Sequence, residues 1–129
     1  QLNVTTDYAI RMTLFLAILG TPMGSEDISK QMGIPKQMIA QIAKPLRDAG
    51  SLRQSAALAE ALFKPKPEDI SLADIFNAVE GTTRINRCLE EDCFCSRHAT
   101  ETCPVRKFYK EMQTFMDEAF SGKTIASLM

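Results

Sequence analysis

Apolar residues recur at intervals of three and four along most of the chain, which is the spacing of one face of an α-helix. The first run follows Thr5, a residue type that caps helix N-termini, and stops at Gly20. A second, shorter helix is predicted from Ser25, as its N-cap, to about Met32. The pattern therefore predicts that the N-terminal part of the chain is helical.

A tight turn at Gly33 joins this second helix to a third, predicted over residues 35–49. Pro35 stands at the predicted first helical position, where proline is favoured. The apolar face of the third helix is expected to join the core: Ile34, Met38, Ile39, Ile42 and Leu46. Two helices joined by a glycine turn, the second one basic, are typical of a helix-turn-helix.

Basic residues are concentrated in this region. Residues 30–53 contain five basic residues and one acidic residue, a net charge of +4, whereas the whole chain of 129 residues carries −1. A basic patch on an acidic body is the electrostatic footprint of nucleic-acid binding. The polar positions predicted to point outward are Lys36, Gln37, Gln41, Lys44 and Arg47. We expect the basic groups to neutralise phosphates and the two glutamines to contact base edges.

Fewer secondary-structure elements are predicted in the second half of the chain. Residues 51–55 are compatible with a strand, 56–64 are helical by propensity, and 71–80 form a short capped helix. A long amphipathic helix begins at about Pro104. Its apolar stripe is wide enough for a partner helix: Val105, Phe108, Met112, Phe115, Met116, Ala119 and Phe120. The fold is therefore expected to be mainly α with a small β element.

Several functional classes are not supported by the sequence. No apolar run approaches the ~18 residues that a membrane span needs, and no signal-peptide pattern opens the chain, so we expect a cytoplasmic protein without membrane contact. The chain has one histidine. It shows no glycine-rich phosphate loop and no Ser-His-Asp arrangement, so an enzyme is not expected.

All four cysteines fall in one short segment: Cys88, Cys93, Cys95 and Cys103. Because the cytosol keeps thiols reduced, this clustering favours a metal or cluster site over disulfides. Only Cys95 and His98 show a zinc-like gap. The irregular spacing suits an iron–sulfur cluster better, since bridging sulfides let the thiolates lie further apart. Two alternatives stay open: a structural zinc site, and metal-free thiols that oxidise reversibly.

Several motifs, in this order, resemble the iron–sulfur winged-helix transcription regulator family typified by IscR and NsrR. They are residues 6–11 (TDYAIR), 33–35 (GIP), 46–50 (LRDAG), 70–75 (ISLADI), 78–81 (AVEG) and 124–128 (TIASL). The resemblance covers nearly the whole chain. It implies a winged helix-turn-helix DNA-binding domain over residues 1–81, a cluster-binding loop over 82–103, and a dimerisation helix and tail over 104–129.

The resemblance also implies a function. Such a protein is a homodimeric regulator, often a repressor, that reports iron, nitric oxide or redox state through a two-iron or four-iron cluster. Its third helix, from Pro35, enters the major groove of double-stranded DNA. Since two-fold pairing would place two such helices about one DNA turn apart, the expected operator is near-palindromic.

The family implies three loop cysteines as cluster ligands. Cys88, Cys95 and Cys103 are nearly evenly spread and are the first choice, whereas Cys93 is able to replace Cys95 or to complete an all-cysteine set. In several members the fourth ligand is a non-cysteine residue from the partner's first helix. Asp7 occupies such a position, although an acid there also favours a helix N-terminus.

The wing departs from the family pattern. Members carry an Arg-Gly followed by Gly-Gly-Tyr that reaches the minor groove, but here Ser55 runs directly into Ala56. Either a different tip replaces it or residues are missing between these two positions. Wing contacts to DNA are therefore assigned only to Arg53 and Ser55.

Overall fold

The computed structural model describes residues 3–55, 62–65, 68 and 70–129. Its helices are Val4–Leu19 (α1), Ser25–Met32 (α2), Lys36–Asp48 (α3), Leu72–Glu80 (α4), Pro104–Gly122 (α5) and Ile125–Leu128 (α6). Three short strands are Met23–Gly24 (β1), Leu52–Ser55 (β2) and Leu62–Pro65 (β3). The mainly helical fold with a small β element is confirmed. None of the described helices combines the length and the apolar character that crossing a membrane requires.

The core lies where α1, α3 and α4 meet. Ile39, Ile42 and Leu46 of α3 are fully buried, and Ile34 is 2 % exposed. Met38 is half-buried and packs against the same cluster. The predicted apolar face of α3 is therefore confirmed, and it fixes the opposite face of this helix toward solvent.

The turn between α2 and α3 is built by Gly33. Its φ of 68° lies in the left-handed region that favours glycine, and its N–H donates to the carbonyl of Ser29 at 2.9 Å. The Ser29 hydroxyl donates to the carbonyl of Ile34 at 2.7 Å, which ties the end of α2 to the approach to α3. These bonds hold the two helices in a helix-turn-helix arrangement.

Three predicted helix starts are wrong by one or two residues. Asn3, not Thr5, caps α1, because its side chain accepts the N–H of Thr5 at 2.9 Å. Ser25 is the first residue of α2, since the preceding Gly24 belongs to β1 and has extended backbone. Pro35 is the N-cap of α3 rather than its first residue.

The strands form one antiparallel sheet in the order β1–β3–β2. The prediction of a strand at 51–55 is confirmed by β2. The helix predicted from the propensity of residues 56–64 is wrong at residues 62–64, which belong to β3. This strand pairs with a strand on each side, and the tertiary pairing overrides helical propensity. Residues 56–61, where the tip of the wing was sought, lie outside the described residues. So do the side chains of Arg53 and Ser55.

The C-terminal segment returns to the core. Ser71 forms a capping box with Asp74 at the start of α4, as predicted. Beside this cap, the Ile125 N–H donates to the carbonyl of Ile70 at 2.9 Å, and the Leu72 N–H donates to that of Lys123 at 2.9 Å. Ile125 is fully buried in the main hydrophobic cluster. The start of α4 is thereby joined to the tail.

Candidate functional site

The exposed face of α3 is the first candidate surface. Every polar residue predicted to point outward is exposed: Lys36, Gln37, Gln41, Lys44 and Arg47. Positions 37, 41 and 44 are separated by four and three residues, so they lie along one side of the helix. Pro35 is exposed at its N-terminal end. This surface presents two side-chain amides between cationic groups, which suits a partner with a phosphate backbone and hydrogen-bonding edges.

The second candidate site is the segment 82–103, which we name the cysteine loop. It begins after Gly81, whose left-handed backbone (φ 78°) ends α4, and it ends at Cys103, the N-cap of α5. A single 3₁₀ turn, Arg87–Leu89, carries the first cysteine. The loop therefore connects the core helix α4 directly to the long helix α5.

Three of the four cysteines line one cavity of about 280 Å³: Cys88, Cys95 and Cys103. We name it the cysteine cavity, and Arg106 and Tyr109 of α5 form part of its wall. Cys93 does not line this cavity. It is exposed, and its φ of 47° lies in the left-handed region of the backbone. The structure thus brings together the three cysteines that were the first choice and separates the fourth.

Two of the three sulfurs of the cysteine cavity accept hydrogen bonds from nitrogen donors. The Asn86 side chain donates to Cys88 Sγ at 3.5 Å, and the Ala99 N–H donates to Cys95 Sγ at 3.5 Å. The bond from Ala99, together with further N–H groups of the same turn, lowers the pKa of the Cys95 thiol below its ordinary value. Donors of this kind stabilise thiolates, the form of cysteine that binds metals.

The cysteine thiols are the donors that the loop offers to a metal ion or a cluster. All four cysteines are free thiols. Among the described residues, no three histidine, cysteine or acidic side chains are grouped closely enough to hold one ion. His98, whose N–H donates to the Cys95 carbonyl at 3.0 Å, belongs to no such group either. Thiolates spread around a shared cavity are suited to a cluster with bridging sulfides.

One side of the cysteine loop is held by an arginine and its partners. Arg87 forms an ion pair with Asp92, and its guanidinium lies 5.1 Å from the centre of the Phe94 ring. Hydrogen bonding from Arg87 lowers the pKa of Asp92. Both contacts close the chain between Cys88 and Cys95 into a compact turn.

Asp7 does not line this chain's own cysteine cavity. It lies on α1, and its Oδ1 accepts a hydrogen bond from Arg11 Nε at 2.9 Å. This bond raises the pKa of Arg11. Within one chain, the structure therefore does not bring Asp7 together with the cysteines.

Helix α5 has two distinct sides. Its apolar stripe is largely exposed, with Val105 at 54 %, Phe108 at 55 % and Phe115 at 70 %. The stripe is not wholly free, because the Phe120 ring packs against Phe76 of α4 with ring centres 5.3 Å apart. The exposed part of the stripe runs from the cysteine loop toward the C-terminal end of α5.

The other side of α5 carries contacts that the sequence did not predict. Arg106 and Gln113, seven residues apart and hence on one helix face, both bind the backbone of the cysteine loop. Gln113 is buried, at 3 % exposure. No feature of the sequence distinguishes these two residues from the other polar residues of α5.

The sequence is similar to a known protein family over nearly its whole length. The family model described as Rrf2, iron-dependent transcriptional regulator, matches residues 2–129. Protein rrf2 of Nitratidesulfovibrio vulgaris (strain Hildenborough) is 29% identical over 132 residues, covering 100% of this chain and 87% of that protein.

Solved structures share the fold. CymR (YrzC), the global cysteine regulator of B. subtilis, has a TM-score of 0.79 at 19% identity, covering 99% of this chain and 95% of that one. T. potens IscR has a TM-score of 0.75 at 16% identity, covering 99% of this chain and 85% of that one. The fold therefore recurs at low sequence identity over nearly the full length of this chain.

Proposed function

Because the chain belongs to the Rrf2 family, whose members are DNA-binding transcription regulators and not enzymes, we propose that it is a repressor controlled by an iron–sulfur cluster in its cysteine loop. One observation carries the proposal. Cys88, Cys95 and Cys103 line a single cavity at the N-terminus of α5, the helix with the exposed apolar stripe. Gain or loss of a cluster in this cavity is therefore able to alter the position of that helix.

The DNA contacts are assigned to α3 and the sheet. Lys36, Lys44 and Arg47 neutralise phosphates and set the register, which gives affinity that falls steeply with salt. Gln37 and Gln41 contact base edges, where an amide is able to pair with adenine through two hydrogen bonds. Pro35 leads α3 into the major groove. Arg53 and Ser55, on β2, contribute the wing contacts.

Dimerisation is assigned to the exposed stripe of α5. Family members typically act as dimers, and covering phenylalanine side chains that are more than half exposed supplies a hydrophobic driving force. A two-fold pair of chains presents two α3 helices about one DNA turn apart, so the operator is near-palindromic.

Cys88, Cys95 and Cys103 are the proposed cluster ligands, and Asp7 of the partner subunit is the proposed fourth. The Arg11–Asp7 pair is an exposed i,i+4 contact, and solvent screening weakens such pairs, so Asp7 is readily released from it. Cys93 lies outside the cavity and is the reserve ligand. When bound, a two-iron or four-iron cluster supplies a group that is sensitive to iron supply, nitric oxide and oxidation.

The cluster is tested by anaerobic purification followed by a visible spectrum and by iron, sulfide and zinc analysis of the same sample. A brown protein that absorbs at roughly 320–460 nm, with iron matched by sulfide, supports the proposal. A colourless protein with stoichiometric zinc would replace it with a zinc-stabilised regulator. A metal-free protein that also resists reconstitution would leave a regulator switched by thiol oxidation.

The ligand set is tested with four matched substitutions. Cys88→Ser, Cys95→Ser and Cys103→Ser are each expected to abolish or strongly reduce cluster loading. Cys93→Ser is the control, since its sulfur lies outside the cavity. Loss of the cluster in Cys93→Ser, with retention in any of the other three variants, would contradict the assignment.

Control of DNA binding by the cluster is tested by measuring the affinity of the protein for its operator. We expect the cluster-loaded and cluster-free proteins to differ in affinity for the operator, measured by fluorescence anisotropy at fixed salt. Equal affinity of the two forms would contradict sensing and would leave only DNA binding.

A further inference from the structure

Arg106, in the first turn of α5, contacts three separate parts of the cysteine loop. Its Nε donates to the backbone carbonyl of Cys88 at 3.1 Å, and its Nη1 donates to that of Thr100 at 3.2 Å. Its Nη2 lies 3.7 Å from Cys93 Sγ. One guanidinium therefore joins the start, the middle and the end of the loop to a single point on α5.

Arg106 forms no ion pair with any of the described residues. In the described part of the chain, Arg11, Arg84 and Arg87 pair with Asp7, Asp117 and Asp92, whereas no carboxylate forms such a pair with Arg106. Its guanidinium donates instead to two backbone carbonyls and one sulfur. Its positive charge therefore acts on the loop and on the cysteine cavity that it lines.

These contacts depend on the shape of the guanidinium group. The group has five N–H donors in a planar fork, so it is able to reach three acceptors that lie in different directions. A lysine ammonium retains the charge but is a point donor on a flexible stem. The lysine variant thus distinguishes charge from geometry at this position.

We propose that Arg106 is the positioning residue that holds the cysteine loop on α5 and transmits the state of the cysteine cavity to that helix. The second half of this statement rests on the proposed function. Cys88 is both a residue of the cavity and a backbone partner of Arg106, so any displacement of its main chain relative to α5 breaks or re-forms a bond of Arg106. The exposed apolar stripe begins on the same helical turn, at Val105.

The positioning role is tested on the reduced, metal-free full chain by hydrogen–deuterium exchange. Arg106→Gln is expected to accelerate amide exchange across residues 87–102 by about tenfold, as loss of hydrogen bonds to a charged group predicts. Exchange in α1 and α3 stays unchanged. Arg106→Lys restores part of the protection. The matched control is Lys107→Gln, which removes the same charge from the exposed neighbouring residue and is expected to behave as wild type.

The transmission role is tested with the same variants by operator affinity. The ratio of affinities between cluster-loaded and cluster-free protein is expected to move toward one in Arg106→Gln, while Lys107→Gln keeps the wild-type ratio. Wild-type exchange in Arg106→Gln overturns the proposal, and so does a loosened loop with an unchanged ratio. If the wild type acquires no cluster, the proposed function fails, and the exchange result alone decides whether Arg106 positions the loop.

Discussion

The side-chain amide of Gln113 pairs with the main chain at Ile85 as a neighbouring strand would. Its Oε1 accepts the Ile85 N–H at 2.7 Å, and its Nε2 donates to the carbonyl of Thr83 at 2.9 Å. The same amide donates to Asp117 at 2.8 Å. The buried residue of α5 is therefore a polar one with its hydrogen bonds satisfied, and it fixes where the cysteine loop leaves α4.

Replacing Gln113 with leucine is expected to destabilise the protein. The substitution leaves the Ile85 N–H and the Thr83 carbonyl without these partners, at a cost of about 1–3 kcal/mol each when buried. Urea unfolding measures the change in the free energy of unfolding. Glu111→Leu, at an exposed position of the same helix, is the control and is expected to change it by less than about 0.5 kcal/mol. Equal effects of the two substitutions would show that the amide contributes nothing specific.

Two substitutions on α3 separate phosphate contacts from base contacts. Lys44→Ala is expected to weaken binding to all DNA sequences alike and to reduce the salt slope by about one. Gln41→Ala is expected to cost about 1–3 kcal/mol on the operator and to relax selectivity at one base pair. Anisotropy titrations over a salt series, on operator and on unrelated DNA, measure both effects. If the two variants lost the same affinity on every DNA, the division of roles would be wrong.

The exposed stripe predicts a dimer that a single charge disrupts. Phe115→Glu places a carboxylate at the most exposed phenylalanine of α5 and is expected to shift the protein to monomer at micromolar concentration. Analytical ultracentrifugation measures the change. Thr114→Glu adds the same charge one residue away, off the stripe, and is expected to leave the dimer intact. A dimeric Phe115→Glu protein would place the interface elsewhere.

The lowered pKa of Cys95 predicts a pH dependence. The thiolate is the nucleophile in alkylation, so a pKa below the ordinary value moves the rise in rate to lower pH. In metal-free protein, the iodoacetamide rate at Cys95, followed by mass spectrometry, is expected to reach half its maximum at a lower pH than in the urea-unfolded chain. A coincident pH profile in the folded and unfolded states would contradict the contribution of the Ala99 N–H.

Local signals predicted the helical part of the fold. Gly33 and Gly81 end helices because they take left-handed backbone, and the Ser71 capping box is visible as a sequence pattern. The strand at 62–65 was missed because its pairing partners, not its own residues, decide its conformation. Local chemistry is thus readable from sequence, whereas long-range pairing is not.

The residues of the candidate site also fall into those that the sequence predicted and those that it did not. The family resemblance implied three cysteine ligands, and their even spacing made Cys88, Cys95 and Cys103 the first choice, which stays a prediction although they share a cavity. Arg106 and Gln113 were missed because their role depends on which face of α5 meets the loop. That orientation is set by packing, such as the contact of Phe120 with Phe76, and not by any local pattern.

The burial of Ile125 among residues of α1, α3 and α4 has a consequence for the newly made chain. At about 5–20 residues per second, residue 125 is added to the growing chain roughly two to nine seconds after residue 81. Until then the helix-turn-helix lacks a core side chain and the main-chain bond to Ile70. The core is therefore completed only after the cysteine loop and α5 have been synthesised. The DNA-binding unit is thus not finished before the segment that is proposed to control it.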